Sequence, residues 1–124
     1  MRVFKSKWFV RFARKENISD AALAEAISRL NDGLVDADLG GGMVKQRVSR
    51  PGEGRSGGYR TIIALKTGET AFFIYGFSKN ARDNIDVQDF KLLKTVAFKF
   101  LKSTDLEIET LRRDQEIMEM TYHG

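Results

Sequence analysis

The middle of the chain contains the stretch MVKQRVSRPGEGRSGGYR, which spans residues 43–60. In its first part, Met43–Ser49, two sets of side chains alternate. One set comprises Val44, Gln46 and Val48, and the other comprises Lys45, Arg47 and Ser49. A period of two residues is typical of a β-strand, because successive side chains of a strand point to opposite faces of the sheet. We therefore predict a strand with one basic face.

The segments that follow this strand predict the rest of a small sheet. Arg50–Gly58 contains the only proline of the chain and several glycines, which is typical of a loop. Tyr59–Leu65 and Ala71–Phe77 are rich in apolar and aromatic residues, and residues 66–69 between them have the composition of a turn. We predict that the three strands form an antiparallel meander.

The residues upstream of the stretch predict two helices. Apolar residues recur at spacings of three and four along residues 7–15, which indicates a short helix with a basic face. Ser19 is a suitable N-cap for a second helix over about Asp20–Asp32, and Gly33 offers a stop. We expect the two helices to form a hairpin, joined near Asn17, that covers the sheet.

The residues downstream of the sheet predict a third helix, broadly Val87–Lys102, and leave the end of the chain open. Ile108 and Leu111 would extend a further helix, whereas Ile117–Met120 would pair as an edge strand. No repeat or linker divides the chain, so we expect one domain over residues 1–124, with residues 105–124 as a C-terminal extension. The pattern predicts the α+β class.

The charge of the chain is unevenly distributed. The formal net charge is +4, but residues 105–124 carry six acidic residues and two arginines. Residues 1–15 carry no acid and six basic residues, namely Arg2, Lys5, Lys7, Arg11, Arg14 and Lys15. A basic body with an acidic tail favours a polyanion as the partner of the body.

Several classes of site have little material in this sequence. The chain has no cysteine, and its single histidine, His123, stands next to the end. Asp36 and Asp38 have the spacing of a weak carboxylate pair, but solvated loop acids have the same pattern. The glycines at residues 40–42 and 52–54 do not match a nucleotide-binding spacing. We expect no metal and no cofactor, and neither a secretory signal nor an apolar membrane segment is evident.

Basic residues are concentrated within residues 43–60, where Glu53 is the only acid. They are Lys45, Arg47, Arg50, Arg55 and Arg60. Arginine suits phosphate oxygens, and aromatic rings such as Tyr59 and Tyr75 could stack on unpaired bases. A metal-free ribonuclease can use such a patch, because the ribose 2′-OH is itself the nucleophile, and the protein supplies proton transfer and positive charge. A solvated sheet face is the alternative to anion binding.

Three segments of the chain resemble the core of RelE/HigB-type toxins of bacterial toxin-antitoxin pairs. They are VKQR at residues 44–47, GRSGGYR at residues 54–60 and YGFSKNARDNI at residues 75–85. The likeness extends from the first predicted strand to the third predicted helix. It implies a RelE-like fold, in which an N-terminal helical hairpin packs on a small antiparallel sheet and a C-terminal helix closes the chain.

The resemblance also implies which residues carry the chemistry. The family's two alternating strand lysines are similar in position to Lys45 and Arg47, and its segment arginine matches Arg60. A further catalytic arginine of the family corresponds to Lys79 or Arg82. Arg47 replaces a lysine, and Ile85 stands where the family has a tyrosine. The expected RNA contacts beyond these are Arg50, Arg55, Tyr59, Lys5, Lys7, Arg11, Arg14 and Lys15.

The function that the resemblance implies is a cytoplasmic, ribosome-dependent endoribonuclease that cuts messenger RNA. Its expected partners are the ribosome with its messenger RNA and a cognate antitoxin of the helix-turn-helix type. Two alternatives remain open. One is a ParE-like protein that inhibits DNA gyrase without catalysis, and the other is a basic RNA-binding module without toxicity. The retained basic residues favour the nuclease, whereas the missing tyrosine and second lysine favour the alternatives.

Overall fold

The computed structural model of the chain describes residues 1–50, 54–78 and 85–123. Within these residues the chain forms four helices and six strands. The elements are β1 (Arg2–Ser6), α1 (Lys7–Glu16), α2 (Asp20–Asn31), β2 (Ala37–Gly40), β3 (Met43–Arg50), β4 (Gly54–Lys66), β5 (Thr70–Ser78), α3 (Val87–Leu101), α4 (Asp105–Arg113) and β6 (Ile117–Met120). The α+β class that the sequence predicts is confirmed.

The strands form one mixed sheet in the order β2-β3-β4-β5-β1-β6. The predicted antiparallel meander is present as β3, β4 and β5. β1 is parallel to β5, so the prediction of an antiparallel sheet is wrong on this side of the meander. The cause is that β1 continues directly into α1. Its few residues show no two-residue period that would distinguish a strand from the start of the helical pattern.

The connection between β3 and β4 is shorter than the predicted loop. β3 extends to Arg50, and β4 begins at Gly54, although the sequence predicts a loop from Arg50 to Gly58. Gly58 allows the two backbones to approach closely, because a Cβ atom there would overlap the carbonyl oxygen of Val48. Glycine at this position therefore marks a close strand contact and not a loop.

The helices α1 and α2 bury apolar residues on one face of the sheet. The hydroxyl of Ser6 caps α1 by accepting from the N–H of Phe9, and Asn17 ends this helix in a left-handed conformation with φ of 59°. Ser19 caps α2 through the N–H of Ala22, as predicted. The core on this face includes Phe9, Ala13, Leu23, Ile27, Val44, Val48, Ile63 and Phe73.

The helices α3 and α4 contribute to a second core on the opposite face of the sheet. The ring of Phe72 stacks between Phe4 and Phe100, with centroid distances of 5.2 Å and 5.1 Å. Other members of this core are Met43, Ile62, Ile74, Leu93, Ala97, Ile108 and Ile117. Two cores on one sheet leave only part of each face open to solvent, and the open part of the α3 face carries the candidate site.

The C-terminal segment contains both structures that the sequence left open. α4 begins with a capping box, in which Thr104 and Glu107 exchange hydrogen bonds of 3.2 Å and 2.9 Å. β6 then pairs antiparallel with β1, so the described chain does not close with the predicted helix. Among the described residues, no helix is both long and apolar enough to span a membrane.

Candidate nucleic-acid interface

The pairing of β3 with β4 brings three predicted catalytic residues to one face of the sheet. Arg47 lies directly opposite Arg60, and Lys45 stands two residues from Arg47 on the same strand. This face also carries Met43 and Ile62, which belong to the core under α3. Like charges directly opposite each other destabilise a sheet, so the arrangement favours a role in binding an anion. We call Lys45, Arg47 and Arg60 the basic cluster.

A bulge in β5 adds two aromatic rings to the same face. Ile62 pairs with Tyr75 and Ile63 pairs with Phe73, so Ile74 is an extra residue in β5. The extra residue reverses the side-chain alternation, and Tyr75 therefore points to the same face as its neighbour Ile62. Phe77, which is opposite Arg60, also lies on this face, and its ring centroid is 6.2 Å from that of Tyr75. The ring of Tyr75 is half-buried, so part of it is open to a ligand.

The side chains of Asp36 and Arg29 form hydrogen bonds with the backbone of Arg47. The N–H of Arg47 donates to Oδ2 of Asp36 at 2.6 Å, and its Nη2 donates to Oδ1 of the same carboxylate at 3.2 Å. The carbonyl oxygen of Arg47 accepts a hydrogen bond from Nη2 of Arg29. Arg29 is itself buried and donates from Nε to Glu25 at 2.8 Å. Pairing between β2 and β3 ends at Ala37 and Lys45. Beyond that point the hydrogen bonds of Asp36 and Arg29 replace the strand pairing and fix the position of Arg47.

The carboxyl of Asp36 remains ionised because of these contacts. Partial burial raises its pKa, but the hydrogen bonds from the backbone and side chain of Arg47 lower it more, helped by the charges of Arg47 and Arg29. The net pKa is below its ordinary value, so Asp36 is a charged partner at neutral pH. The carboxylate of Asp36 thus interacts electrostatically with both Arg47 and Arg29.

Two N–H groups of the basic cluster lack partners. Arg47 Nε and Arg60 Nη1 are buried and have no hydrogen-bond acceptor among the described residues. A buried donor left unpaired costs about 1–3 kcal/mol, and more when the group is charged. The oxygens of an anion such as a phosphate are suitable acceptors for guanidinium N–H groups.

Arg50 and Tyr59 lie on the other face of the sheet, away from the basic cluster. Tyr59 is buried in the core under α1, with 3% of its surface exposed, so its ring is not available to stack on a base. Its hydroxyl donates to the carbonyl oxygen of Glu16 at 3.2 Å and accepts from Nε of Arg50 at 3.0 Å. The guanidinium of Arg50 also lies over the ring of Tyr59. The structure therefore gives both residues a packing role.

Three further residues from the sequence analysis receive no placement here. Lys79 and Arg82 lie outside the described residues. Arg55 stands near the start of β4, and its side chain lies outside the described part of the structure. Their predicted roles stay predictions.

The N-terminal basic residues do not form one surface. Lys5 lies on β1, is largely buried and pairs with Asp20 at 3.0 Å. Lys7 pairs with Glu116 at 3.3 Å. Arg11 and Arg14 are exposed on α1 and, together with Lys7, line a groove shared with α4 and β6, whereas the exposed Lys15 does not line this groove. The set that is contiguous in sequence is thus divided among different environments.

The sequence pattern does not reveal the residues that position the basic cluster. Asp36 was considered only as a weak carboxylate pair with Asp38, and Arg29 was assigned only to a helix. The position of Arg29 in an otherwise apolar stripe of the helix is a signal that could have identified it, because an arginine is seldom buried without a partner. The bulge at Ile74 leaves no comparable signal in the sequence. No group of acidic or histidine side chains suited to a metal occurs within residues 1–50, 54–78 and 85–123.

Comparison with known proteins agrees with the arrangement of these elements. A family model described as the RelE toxin of the RelE / RelB toxin-antitoxin system matches residues 1–120 of the chain. The match extends from β1 through β6 and so includes the basic cluster and the C-terminal segment. No curated protein matches the chain.

Proposed function

Because the chain belongs to the RelE toxin family, we propose that it is a ribosome-dependent endoribonuclease that cuts messenger RNA. The observation that supports this most directly is that Arg47 and Arg60 each have a buried N–H group with no acceptor in the described part of the chain. They lie on a face that also offers Lys45 and the ring of Tyr75. Cationic donors beside an aromatic ring are the groups that recognise unpaired RNA.

The chemistry that we propose uses the ribose 2′-OH of the substrate as the nucleophile. Lys45 acts as the general base that takes the proton from this hydroxyl, and the 2′-oxygen attacks the adjacent phosphorus. The bond from phosphorus to the 5′-oxygen breaks, and this oxygen gains a proton from water. Arg47 and Arg60 stabilise the extra negative charge on the phosphate in the transition state. Tyr75 orients the substrate by stacking on a base, and no redox step or co-reactant is needed.

The family membership gives the toxin a cognate antitoxin. We further propose that residues 1–124 form a single toxin domain, that the antitoxin is of the helix-turn-helix type and that the protein acts in the cytoplasm. The matched C-terminal elements support the first of these statements, because α4 and β6 contribute Ile108 and Ile117 to the core under α3.

The proposed function is tested by cleavage of translated messenger RNA. Primer extension with purified ribosomes should show cuts with the wild type, and Lys45→Ala should reduce the cleavage rate by about 10² to 10³, the usual loss for one transition-state contact. Lys66→Ala is the matched control, because Lys66 is an exposed lysine at the far end of β4. The control should cut like the wild type.

One result would contradict the nuclease activity, and a second would contradict the assignment of its catalytic residues. The first is the absence of cuts with the wild type, in which case inhibition of DNA supercoiling by gyrase would be measured next. The second is wild-type cleavage by Lys45→Ala, Arg47→Ala and Arg60→Ala alike. Filter binding of RNA, measured alongside, separates loss of chemistry from loss of affinity. Loss of one phosphate contact lowers the affinity for RNA far less than loss of one transition-state contact lowers the cleavage rate.

A further inference from the structure

The open edge of the sheet at β6 forms one side of a groove. Within residues 1–50, 54–78 and 85–123, β6 is the last strand in the sheet order and pairs only with β1. α1 and α4 stand on either side of β6, and the groove between them has a volume of about 880 Å³. Val10, Ile117 and Met118 give it apolar surface, and Met118 is 50% exposed. An exposed strand edge is a template for another strand.

The pairing of β6 with β1 determines which main-chain groups of β6 point away from β1. The N–H of Lys7 donates to the carbonyl oxygen of Glu116 at 3.1 Å. In an antiparallel pair, the residues that bond to the partner alternate with residues whose N–H and C=O point the other way. The main-chain groups of Ile117 and Glu119 therefore point away from β1 and into the groove.

The groove carries more positive than negative charge. Arg11 and Arg14 are exposed on the α1 side, and no ion pair with an acidic side chain is found for either in the described part of the chain. The acidic Glu119 is already engaged, because it accepts from Nε of Arg2 at 2.9 Å, and this bond lowers its pKa. Arg112 lies 3.6 Å from the same carboxylate. The cations that remain available on α1 would attract a negatively charged ligand.

We infer that the groove binds an extended, acidic segment of the antitoxin, which adds to β6 as a further strand. The added strand would pair with the main-chain groups of Ile117 and Glu119. Its acidic side chains would lie on the α1 face and reach Arg11 and Arg14, and the alternate apolar side chains would lie on the opposite face, beside Ile117. The inference rests on the toxin-antitoxin pairing and not on the cleavage of RNA.

A peptide fits these features better than RNA does. A nucleic acid could use the arginines, but its backbone has no groups that continue a β-ladder, and the apolar surface of Val10 and Met118 would gain nothing from a phosphate. The groove is also remote from the basic cluster, because four strand spacings of about 4.8 Å separate β6 from β3. The segment would anchor the antitoxin without itself covering the basic cluster.

The binding test uses a fluorescein-labelled peptide of alternating glutamate and valine, seven residues long, and the purified full-length chain. Fluorescence anisotropy should show saturable binding, and the double variant Arg11→Gln/Arg14→Gln should weaken it roughly tenfold or more. Lys15→Gln is the control, because Lys15 is an exposed cation of the same helix that does not line the groove. It should change binding less than about twofold.

The same assay separates strand pairing from charge. A peptide with N-methyl groups at alternate amides should lose binding, because it cannot pair with β6, and a glutamine-for-glutamate peptide should bind roughly tenfold more weakly. Amide hydrogen exchange at Ile117 and Glu119 should slow when the acidic peptide is bound. None of these measurements includes a ribosome, so their failure would leave the proposed nuclease untouched.

Four outcomes would overturn the inference. One is no binding of the acidic peptide at about 1 mM, and another is equal binding of the N-methylated peptide. A third is an equal loss of affinity in Lys15→Gln and in the double variant. The last is displacement of the peptide by an oligouridylate at lower concentration than by unlabelled peptide, which would assign the groove to single-stranded RNA.

Discussion

Two arginines near the end of β3 have opposite environments. Arg50 lies on the α1 face, where its guanidinium contacts the hydroxyl and ring of Tyr59 and lies 3.4 Å from Glu16. Arg47 lies on the α3 face opposite another arginine and keeps a buried N–H without an acceptor among the described residues. The two residues are of one type and stand on one strand. They differ in whether the fold itself supplies a partner.

The difference distinguishes a structural cation from one kept for a ligand. The contacts of Arg50 and Tyr59 join β3 and β4 to the end of α1, so they stabilise the fold whether or not RNA is bound. Arg47 and Arg60 destabilise the fold through like-charge repulsion and through donors that have no acceptor in the part of the chain that the structure describes. A fold retains such a cost where function requires it.

Arg60→Ala should have the largest effect on activity and the least harmful effect on stability. Removing one charge that stabilises the transition state should lower the cleavage rate by about 10² to 10³. The melting temperature should stay the same or rise, because the variant removes a repulsive neighbour of Arg47 and a buried N–H that has no acceptor among the described residues. Single-turnover cleavage and thermal unfolding, measured on one preparation, check both parts. A large fall in melting temperature would show that Arg60 is structural.

Tyr59→Phe should show the opposite behaviour. The variant removes the hydroxyl that connects Arg50 to the carbonyl oxygen of Glu16, which should lower the free energy of unfolding by about 1–3 kcal/mol. Cleavage per folded molecule should remain close to that of the wild type, since Tyr59 is buried on the other face. Urea unfolding and the cleavage assay measure these quantities. A rate loss as large as that of Arg60→Ala would end the distinction between the two faces.

The sequence predicted those parts of the molecule that depend on local pattern. The meander, the caps at Ser19 and the position of α3 follow from periods and capping residues that lie within a few positions of one another. The alternation of β3 also placed Lys45 and Arg47 on one face correctly. Local rules suffice for these features because each depends on neighbours in the chain.

The features that the sequence did not predict depend on contacts between distant segments. β1 is a strand because it lies between β5 and β6, and Arg29 is buried because it reaches the carbonyl of Arg47. The sequence predicts Tyr59 as an RNA contact, whereas the structure buries its ring in the core under α1. The position of α1 decides this burial, and no spacing within residues 43–60 reveals it. The packing of α1 was thus decisive for which aromatic residue stays open to RNA.

Asp36→Asn should have a moderate effect that depends on pH. The pKa of Asp36 is lowered in the folded protein, so the charged carboxylate contributes stability above its unfolded pKa, and this contribution is lost as the pH falls through the folded pKa. The wild type should therefore be more stable than the variant by about 1 kcal/mol at neutral pH, and the difference should narrow below about pH 4. Urea unfolding between pH 3 and 7 measures it. A difference that widens in acid would contradict the assignment of Asp36 as the ionised partner of Arg47.

The smallest effects are expected among the N-terminal cations, and they extend the same comparison to ribosome association. Lys5 already has a partner in Asp20 and its side chain is 12% exposed, so it has few counterions to release to RNA. Lys15 is exposed on α1. If the ribosome attracts this region through phosphates, each exposed cation that contacts one should change the salt slope of association by about one. Lys15→Gln should therefore flatten the dependence of co-sedimentation on salt, whereas Lys5→Gln should leave the slope unchanged. Equal flattening by both variants would show that a cation paired within the fold still binds RNA. The distinction between cations that have a partner in the fold and cations kept for a ligand would then hold for the sheet alone.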